Sequence, residues 1–434
     1  MVKEQTIPEP FTCRNGHLVI DGFDVVELVE REGTPLLLTS AKRIEDNFSR
    51  IWGAFSSAHG NVEIKYALKA NSNPSVVKIL KRLECGADVS SPFELMLAQE
   101  LGFPMDKILY SPNNSSREDL LLGTSKNMTI NFDSISQMKL VSDVLPSRIS
   151  FRINVDLERG EFPGTTTSGP SAKFGISKEE AIEGYRYALS RGVESFGIHV
   201  MTGSNILDPK HFGNVASKLM QAAEFISENT GIKFDFADIG GGFGVPYRPG
   251  EEKLNIDLAA RKVSVEFKKH VSLGKIGNPK LFLEPGRYLV ADSSVMLGRV
   301  NDVKKATKIF VGTDIGMNIF LRPVLYGAYH NVVIANDLNR PVSSKKDIVG
   351  QICESTDCLA RDRSFPELAQ GDIIAAFNAG AYVSSMSSNY NGRGRPMEAM
   401  IEDGKFVVTR KRDSFSDFIS NYSEFASKNE YSTP

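Results

Sequence analysis

Apolar residues in the middle of the chain recur first at helical and then at strand spacing. Ile44, Phe48, Ile51 and Phe55 lie three or four residues apart, which predicts a helix, and the apolar stretch VEIKYALK after them predicts a strand. This alternation continues to residue 286, with about seven strand-helix repeats counted from residue 62 and an eighth strand at 280–286. Such units with short connections favour a parallel (β/α)8 barrel, although the pattern does not exclude an open sheet.

The rest of the chain is strand-like. From about residue 288, apolar stretches separated by polar turns predict a β-rich second domain, and residues 18–40 predict short strands around a turn at 33–35. We therefore expect N-terminal strands over 1–38 that join the β domain, a barrel over 39–286 and a C-terminal β-rich domain over 287–434.

Composition narrows the class of partner. The 434 residues are 41% hydrophobic and 24% charged, as in globular proteins, and the net charge of −2 gives no electrostatic reason to expect nucleic acid or a membrane. We expect a small-molecule ligand. The N-terminal twenty residues lack the apolar core of a signal peptide, and no run of about 18 apolar residues occurs, which predicts a cytoplasmic protein.

Cysteine and histidine spacing gives no metal site. Cys13, Cys85, Cys353 and Cys358 lack the paired spacing of a zinc site, so we interpret them as free thiols. The six histidines form no H-x-x-x-H or H-E-x-x-H motif, and we expect no catalytic metal.

Polar residues collect where the predicted strands end. In parallel α/β folds, chemistry occurs at the carboxyl ends of the strands. The residues at or just past those ends are Lys69, Asp88, Ser111, Asn154, Gly203, Gly240 and Glu284.

Lys69 stands in YALKANSNP, between an apolar strand and a turn. An ammonium group there is costly to desolvate unless it is paired, deprotonated or covalently used, and lysine amines form Schiff bases with carbonyl cofactors. The alternative is a strand-end lysine whose stem packs while its head reaches water.

Two strand ends could hold an anionic cofactor with a pyridine ring. The run Gly240, Gly241, Gly242 allows backbone amides to converge on a phosphate, with Ser204 as a second contact, or it forms only a tight turn. Glu284 could keep a pyridine nitrogen protonated, or it could pair with Arg287.

Three segments of the β-rich half could contact a substrate. Arg322 and Tyr326 lie four residues apart, where the guanidinium could bind a carboxylate or remain solvated. Cys353 precedes Glu354, as a possible acid or as a buried structural cysteine. Tyr382 lies in a Gly, Ser and Asn-rich segment and could stack or hydrogen-bond.

Taken in this order, the motifs resemble the pyridoxal-phosphate-dependent decarboxylases of the alanine-racemase-type fold, and within them the diaminopimelate decarboxylases. The resemblance covers nearly the whole chain, and the motifs that carry it are YALKANSNP, DIGGGFGVPY, EPGR, RPVLYGAYH, CES and AGAY…MSSNYNGRGRP. It implies pyridoxal 5′-phosphate as cofactor, conversion of meso-2,6-diaminopimelate to L-lysine in lysine biosynthesis, and a head-to-tail homodimer with shared active sites.

The resemblance also implies roles for individual residues. Lys69 would bind the cofactor covalently, Cys353 of the partner subunit would donate a proton, and Glu284 would face the pyridine nitrogen. The other residues implied to hold the cofactor are Asp88, His199, Met201, Ser204, Gly240, Gly241, Gly242 and Tyr382. Those implied to hold the substrate are Arg287, Arg322, Tyr326, Glu354 and Tyr382.

Two positions depart from the family pattern. Met201 stands where the family has a histidine stacked on the cofactor ring, and His199, on the same side of the strand, would compensate only in part. The segment 158–172 lacks the histidine expected in the specificity loop. These departures keep open an alternative, a decarboxylase of carrier-linked glutamyl groups or siderophore precursors.

Two further classes fit less well. Racemases of this fold usually have an arginine where this chain has Glu284. A small cofactor-homeostasis protein with the same barrel would lack the β-rich half.

Overall fold

The structure is a computed structural model that describes residues 5–124, 128–157, 160–420 and 422. The chain divides into two compact units. The first comprises Met1–Ile44, Tyr247–Glu251 and Val290–Pro434, and the second comprises Glu45–Pro246 and Glu252–Leu289. The domain bounds expected from the sequence, 1–38, 39–286 and 287–434, remain a prediction. Among the described residues, no helix combines the length and the apolar character needed to cross a membrane.

The N-terminal segment contains a helix where the sequence suggested only strands. Its elements are β1 Thr12–Arg14, β2 His17–Ile20, β3 Phe23–Asp24, α1 Val25–Glu32, β4 Leu36–Ser40 and α2 Ala41–Ala58. The strand prediction for Val25–Glu32 is wrong, because Asp24 caps the helix by accepting a hydrogen bond from Val26 N–H, and Val25, Leu28 and Val29 are buried at helical spacing. Gly33, with φ of 74°, ends the helix.

The second unit contains a closed barrel of eight parallel strands. Its strands are β5 Val62–Ala67, β6 Gly86–Val89, β7 Ile108–Tyr110, β8 Thr129–Phe132, β9 Arg148–Arg152, β10 Ser195–His199, β11 Phe236–Asp238 and β12 Lys280–Leu283. Its helices are α3 Pro74–Arg82, α4 Pro92–Glu100, α5 Arg117–Leu121, α6 Ile135–Lys139, α7 Lys178–Ser190, α8 Pro209–Thr230 and α9 Ile256–Val271. The barrel closes where Leu281 pairs with Val62, which confirms the predicted (β/α)8 fold.

A layer of side chains fills the end of the barrel away from the strands' carboxyl ends. The Phe236 and Phe282 rings stack at 4.5 Å, and Lys65 Nζ lies 4.6 Å from the Phe282 ring centre and 2.8 Å from Glu63 Oε1. A Cβ atom on Gly197 would lie 2.0 Å from a Phe236 ring carbon. Gly197 therefore leaves the space that the Phe236 ring occupies.

We expect Gly197→Ala to lower the free energy of unfolding by about 1–3 kcal/mol, since the stacked Phe236 ring cannot move freely. The matched control is Gly53→Ala in α2, where an added Cβ meets nothing within 4 Å. The control should be neutral or stabilise by about 0.5–1 kcal/mol. Thermal unfolding of both variants checks this, and equal melting temperatures would contradict the packing described here.

The first unit is β-rich, as predicted. Its remaining strands are β13 Ser294–Lys305, β14 Ile309–Thr313, β15 Val332–Ile334, β16 Val342–Val349, β17 Cys358–Pro366, β18 Ile373–Phe377, β19 Met397–Glu402 and β20 Lys405–Arg410. Its helices here are α10 Arg287–Val290, which begins in the second unit, α11 Arg322–Tyr326 and α12 Phe415–Ile419. Strand β4 pairs with β13 and β19 in a nine-stranded sheet, whereas β1, β2 and β3 form a sheet of three strands.

Candidate active site

Lys69 and Asp88 form an ion pair at the carboxyl ends of neighbouring barrel strands. Lys69 lies in the 3-10 turn Leu68–Ala70 directly after β5, and Asp88 lies in β6. The Lys69 Nζ atom is 2.8 Å from Asp88 Oδ2. The Asp88 side chain is 1% exposed, but that of Lys69 is 44% exposed. The amine is therefore paired on its inner side and accessible from outside.

Across the same end of the barrel, His199 is held from two sides. Its Nε2 atom lies 3.2 Å from Glu284 Oε2, and its Nδ1 atom lies 3.1 Å from Asn131 Nδ2. Asn131 Oδ1 in turn accepts a hydrogen bond from Ser150 Oγ at 2.9 Å. Since the Asn131 amide donates to Nδ1, the proton of a neutral His199 ring is on Nε2 and is donated to Glu284. The ring is thus fixed in the barrel lining.

The buried carboxyl groups at this end have well separated pKa values. Burial alone would raise the pKa of Glu284, but His199, Lys69 and Arg152 outweigh it and lower the pKa to about 2. Burial, reinforced by the charge of Glu284, raises the pKa of Asp88 to about 6 against the effect of Lys69. The same two causes raise the pKa of Asp238 well above its usual value. Glu284 therefore ionises most readily of the three carboxyl groups.

The Glu284 Oε1 atom shows whether a pyridinium ring fits this end of the barrel. Glu284 is 5% exposed, and its Oε1 atom is buried without a hydrogen-bond partner among the described residues. An ionised oxygen without a donor is costly, and a pyridinium N–H group supplies the donor. His199, Asp238 and Glu284 also place ligand atoms within 4.8 Å of one another, a spacing that could hold a metal ion. The expectation of no metal thus stays a prediction.

The glycine run after β11 is a tight turn against neighbouring backbone. A Cβ on Gly240 would lie 2.4 Å from Val200 O, and one on Gly241 would lie 2.3 Å from Glu284 O. Gly240 N–H already donates to Asp238 Oδ1 at 2.8 Å, while Gly241 N–H points at Met201 Sδ at 3.3 Å. The turn and the anion-binding interpretations are therefore compatible, with Gly241 and Gly242 as the candidates to meet a phosphate.

Met201, Ser204 and Arg287 lie beside this turn. Met201 is half-buried, and its sulfur lies 3.0 Å from the position of a Cβ on Gly240. Arg287 is 5% exposed and donates from Nη2 to Ser204 Oγ at 2.9 Å. The structure thus places Ser204, which was predicted to contact the cofactor, beside Arg287, which was predicted to contact the substrate.

The segment 158–172 is tied to strand ends from residue 160 onward; Glu158 and Arg159 lie outside the described residues. Asn154 Oδ1 accepts hydrogen bonds from Ser168 Oγ and Gly169 N–H, each at 2.9 Å. Arg152 Nη2 donates to Thr167 O at 2.9 Å. These bonds hold the segment at the carboxyl end of β9.

The remaining candidates lie in the first unit. Arg322 is 1% exposed, so the interpretation as a solvated arginine is wrong. Its Nη1 atom lies 2.7 Å from His330 Nε2, and its guanidinium lies 4.6 Å from the Tyr247 ring centre. Tyr326 ends the same helix, α11. A deeply buried guanidinium group thus lies beside an imidazole and a phenol ring.

Cys353 and Glu354 are exposed, which contradicts the interpretation of Cys353 as a buried structural cysteine. All four cysteines are free thiols. Cys353 N–H donates to Asn391 Oδ1 at 2.8 Å, and the Tyr390 hydroxyl donates to Glu354 Oε1. The sequence did not single out Tyr390. Tyr382 has φ of 59°, an unusual value for a large side chain that recurs at functional sites.

Asp413 fixes the loop that carries Tyr390 and Asn391. Its carboxylate accepts hydrogen bonds from Asn389 Nδ2 at 2.8 Å and Arg395 N–H at 2.9 Å, and it pairs with Arg410. Burial would raise the pKa of Asp413, but these donors outweigh it and hold the pKa below its usual value. Its stabilising effect is therefore present above pH of about 4 and is lost as pH falls towards the folded-state pKa.

We accordingly expect Asp413→Asn to lower the melting temperature at pH 7, with a deficit that shrinks as pH falls below about 4. Asp403→Asn, in the exposed turn between β19 and β20, is the control and should melt like the unaltered chain. A deficit for Asp413→Asn that is constant with pH would show that the carboxylate's charge does not hold the loop.

Comparisons with known proteins show the family to which the chain belongs. The family described as "Pyridoxal-dependent decarboxylase, pyridoxal binding domain" matches residues 42–291. Diaminopimelate decarboxylase of Methanothermobacter thermautotrophicus is 44% identical, over 93% of this chain and 95% of that protein. The one of Thermoplasma acidophilum is 43% identical, over 92% and 96%.

Solved structures give the same result over nearly the full length. The crystal structure of the M. jannaschii diaminopimelate decarboxylase has a TM-score of 0.87 and 32% identity, and the match covers 95% of this chain and 97% of that one. The Helicobacter pylori enzyme in complex with L-lysine has a TM-score of 0.81 and 33% identity, over 91% and 98%. This chain belongs to the diaminopimelate decarboxylase family of pyridoxal-dependent decarboxylases.

Proposed function

We propose that the chain is a pyridoxal 5′-phosphate-dependent carboxy-lyase that converts meso-2,6-diaminopimelate to L-lysine and carbon dioxide. The observation that carries the proposal is the pairing of an accessible Lys69 amine with a buried Asp88, at the barrel end where an ionised Glu284 oxygen has no donor in the part of the chain that the structure describes. We infer the substrate from the relatives named diaminopimelate decarboxylase, one of which is 44% identical to this chain. The bound cofactor supplies an electron sink for the pair of electrons that remains when carbon dioxide leaves.

Asp88 prepares Lys69 for covalent use. The amine must lose a proton before it can attack an aldehyde, and Asp88 Oδ2 lies 2.8 Å from Nζ. Because burial and the charge of Glu284 raise the pKa of Asp88 to about 6, its carboxylate is a better proton acceptor than an exposed aspartate.

Glu284 and the glycine turn would orient the cofactor. Oε1 of Glu284 would accept the hydrogen bond of the pyridine nitrogen and keep it protonated, while His199 holds Oε2 at 3.2 Å. Gly241, Gly242 and Ser204 would contact the phosphate, with Gly240 shaping the turn. Met201 would lie against one ring face, where a thioether makes a favourable contact with an aromatic system.

Arg287, Arg322 and Tyr326 would bind the substrate carboxylate that is retained, and Glu354 would bind the distal amine. The burial of both guanidinium groups supports this role, because desolvated arginines bind carboxylates strongly. Tyr382 would contact both cofactor and substrate. Cys353 would return the proton to the carbon that loses carbon dioxide.

The alternative substrate class, carrier-linked or siderophore-precursor amino acids, is not favoured. Met201 and the altered 158–172 segment motivated it, yet the relatives that match at 43–44% identity over 92–93% of the chain are named diaminopimelate decarboxylase. Release of carbon dioxide from meso-diaminopimelate, its stereoisomers, lysine, ornithine and glutamyl conjugates separates the two. We expect turnover of meso-diaminopimelate alone; an inert meso compound beside an active conjugate would overturn the substrate.

We further propose a cytoplasmic homodimer in which Cys353 and Glu354 complete the partner subunit's site. Their exposure in the single chain supports this, because a catalytic thiol at a shared site stays exposed until a partner subunit contributes the rest of the active site.

A complementation experiment tests the shared site. Lys69→Ala and Cys353→Ala should each be inactive as purified homodimers. After the two are mixed and allowed to exchange subunits, half of the dimers are mixed and each holds one intact site, so about a quarter of full activity should return. A mixture of Lys69→Ala with Lys69→Arg is the control and should stay inactive. Failure of exchanged dimers to regain activity would place Cys353 in its own subunit's site.

A further inference from the structure

Three arginines converge on a cavity of the first unit that no proposed active-site residue lines. The cavity has a volume of about 340 Å³, and its lining includes Arg248, Arg361, Arg363, Tyr329 and Cys358. We call it the arginine pocket. Among the described residues, no aspartate or glutamate lines it. Its volume lies at the lower end of the range of small-molecule sites.

Two of the three guanidinium groups lie against one aromatic ring. Those of Arg248 and Arg363 lie 4.4 and 4.3 Å from the Tyr329 ring centre. Arg363 Nη1 donates to His330 O at 2.7 Å. Its Nε and Nη2 atoms are buried and have no hydrogen-bond partner among the described residues. Arg363 thus keeps two unsatisfied donors within the lining of the pocket.

The pocket carries positive charge that nearby carboxylates do not neutralise. Burial lowers the pKa of Arg363; the Tyr329 side chain, which also hydrogen-bonds to it, acts against this, and the charge of Arg248 adds a smaller lowering effect. Asp362, beside Arg361 and Arg363 on β17, pairs with Lys345 at 3.0 Å. Asp357 accepts hydrogen bonds from Met317 N–H and Ile352 N–H, each at 2.7 Å. Glu251, three residues after Arg248, accepts hydrogen bonds from the backbone N–H groups of Tyr247 and Arg248. These three carboxylates therefore have other partners.

Clustered like charges and unpaired buried donors are both unfavourable, and one ligand class relieves both. An oxyanion accepts several hydrogen bonds at once and offsets the repulsion between guanidinium groups. Three arginines match a doubly charged tetrahedral anion better than a single carboxylate, and arginine forks suit phosphate oxygens. We propose that the arginine pocket binds phosphate, either inorganic phosphate or the phosphate of a small monoester.

Binding of radiolabelled inorganic phosphate, measured by equilibrium dialysis, tests the proposal. The protein is loaded with pyridoxal phosphate, so that the cofactor's own phosphate site is filled, and chloride keeps the ionic strength constant. Glycerol phosphate in a parallel competition shows whether a monoester binds more tightly than the free ion. Because the readout is binding and not turnover, the result is independent of the proposed decarboxylation.

The variants are Arg248→Gln, Arg361→Gln and Arg363→Gln. Arg248 and Arg361 are exposed, so we expect the fold to tolerate their replacement. Each should weaken phosphate binding about ten- to a hundredfold, the range for one charge-assisted hydrogen-bonding group. Arg14→Gln, which removes an exposed arginine from β1, is the matched control and should bind normally. Absence of saturable binding at millimolar phosphate would overturn the proposal. So would binding that survives Arg248→Gln with Arg361→Gln, or that is lost in Ser204→Ala.

Discussion

Replacement of Lys69 by alanine is expected to reduce decarboxylation about a thousandfold or more and to abolish covalent attachment of the cofactor. The Lys69 amine is the group that would bond to the aldehyde, and no other lysine combines its strand-end position with an ion pair to Asp88 at 2.8 Å in the described chain. Loss of a nucleophile or proton-transfer group typically costs this much. Steady-state carbon dioxide release and the visible absorbance of the purified protein measure the two effects.

Lys69→Arg separates covalent chemistry from charge. Arginine keeps the positive charge beside Asp88, yet its guanidinium stays protonated and forms no Schiff base at neutral pH. We expect this variant to fold and to be as inactive as Lys69→Ala. Lys218→Ala, an exposed lysine in α8, is the control and should be fully active. Substantial activity in Lys69→Arg would mean that only the charge at this position matters.

Glu284→Gln is expected to lower kcat about a hundred- to a thousandfold while the protein still binds the cofactor. Glutamine preserves the shape and an acceptor oxygen for His199, but it lacks the charge that keeps a pyridine nitrogen protonated. Glu284→Gln would thus remove the charge that supports the electron-accepting chemistry of a bound cofactor. Since the effect is on the chemical step, KM for meso-diaminopimelate should change little.

Glu63→Gln is the matched control for this change. Glu63 is also buried in the barrel, but it lies at the opposite end and pairs with Lys65. Its replacement should lower the melting temperature and leave kcat near the original value. If both variants lost kcat equally, the loss would reflect general damage to the barrel and not the chemistry of Glu284.

The barrel could be predicted from sequence because seven of its eight strands are followed by a helix with apolar residues at helical spacing. The helix Val25–Glu32 could not, since VVELV fits a strand as well as a helix, and the decisive signal was the capping residue Asp24. Strand-end position identified Lys69, Asp88 and Glu284. The same rule would have found Asp238, which ends β11 directly before the glycine run.

Other site features depend on contacts that no local pattern encodes. Asn131 fixes His199 across 68 positions of sequence, and Tyr390 reaches Glu354 across 36. The burial of Arg322 likewise comes from packing against Tyr247, which lies far away in the chain. Such pairs are set by closure of the barrel and the sheet, so motif spacing could name the residues but not their partners.

The most direct measurement is the site of covalent attachment. Protein reconstituted with pyridoxal 5′-phosphate is reduced with borohydride, digested and examined by mass spectrometry. We expect one peptide, the one that contains Lys69, to carry the reduced adduct, and Lys69→Arg protein to carry none there. An adduct on other lysines only, or none at all under saturating cofactor, would contradict the role of the Lys69 amine on which the proposed chemistry depends.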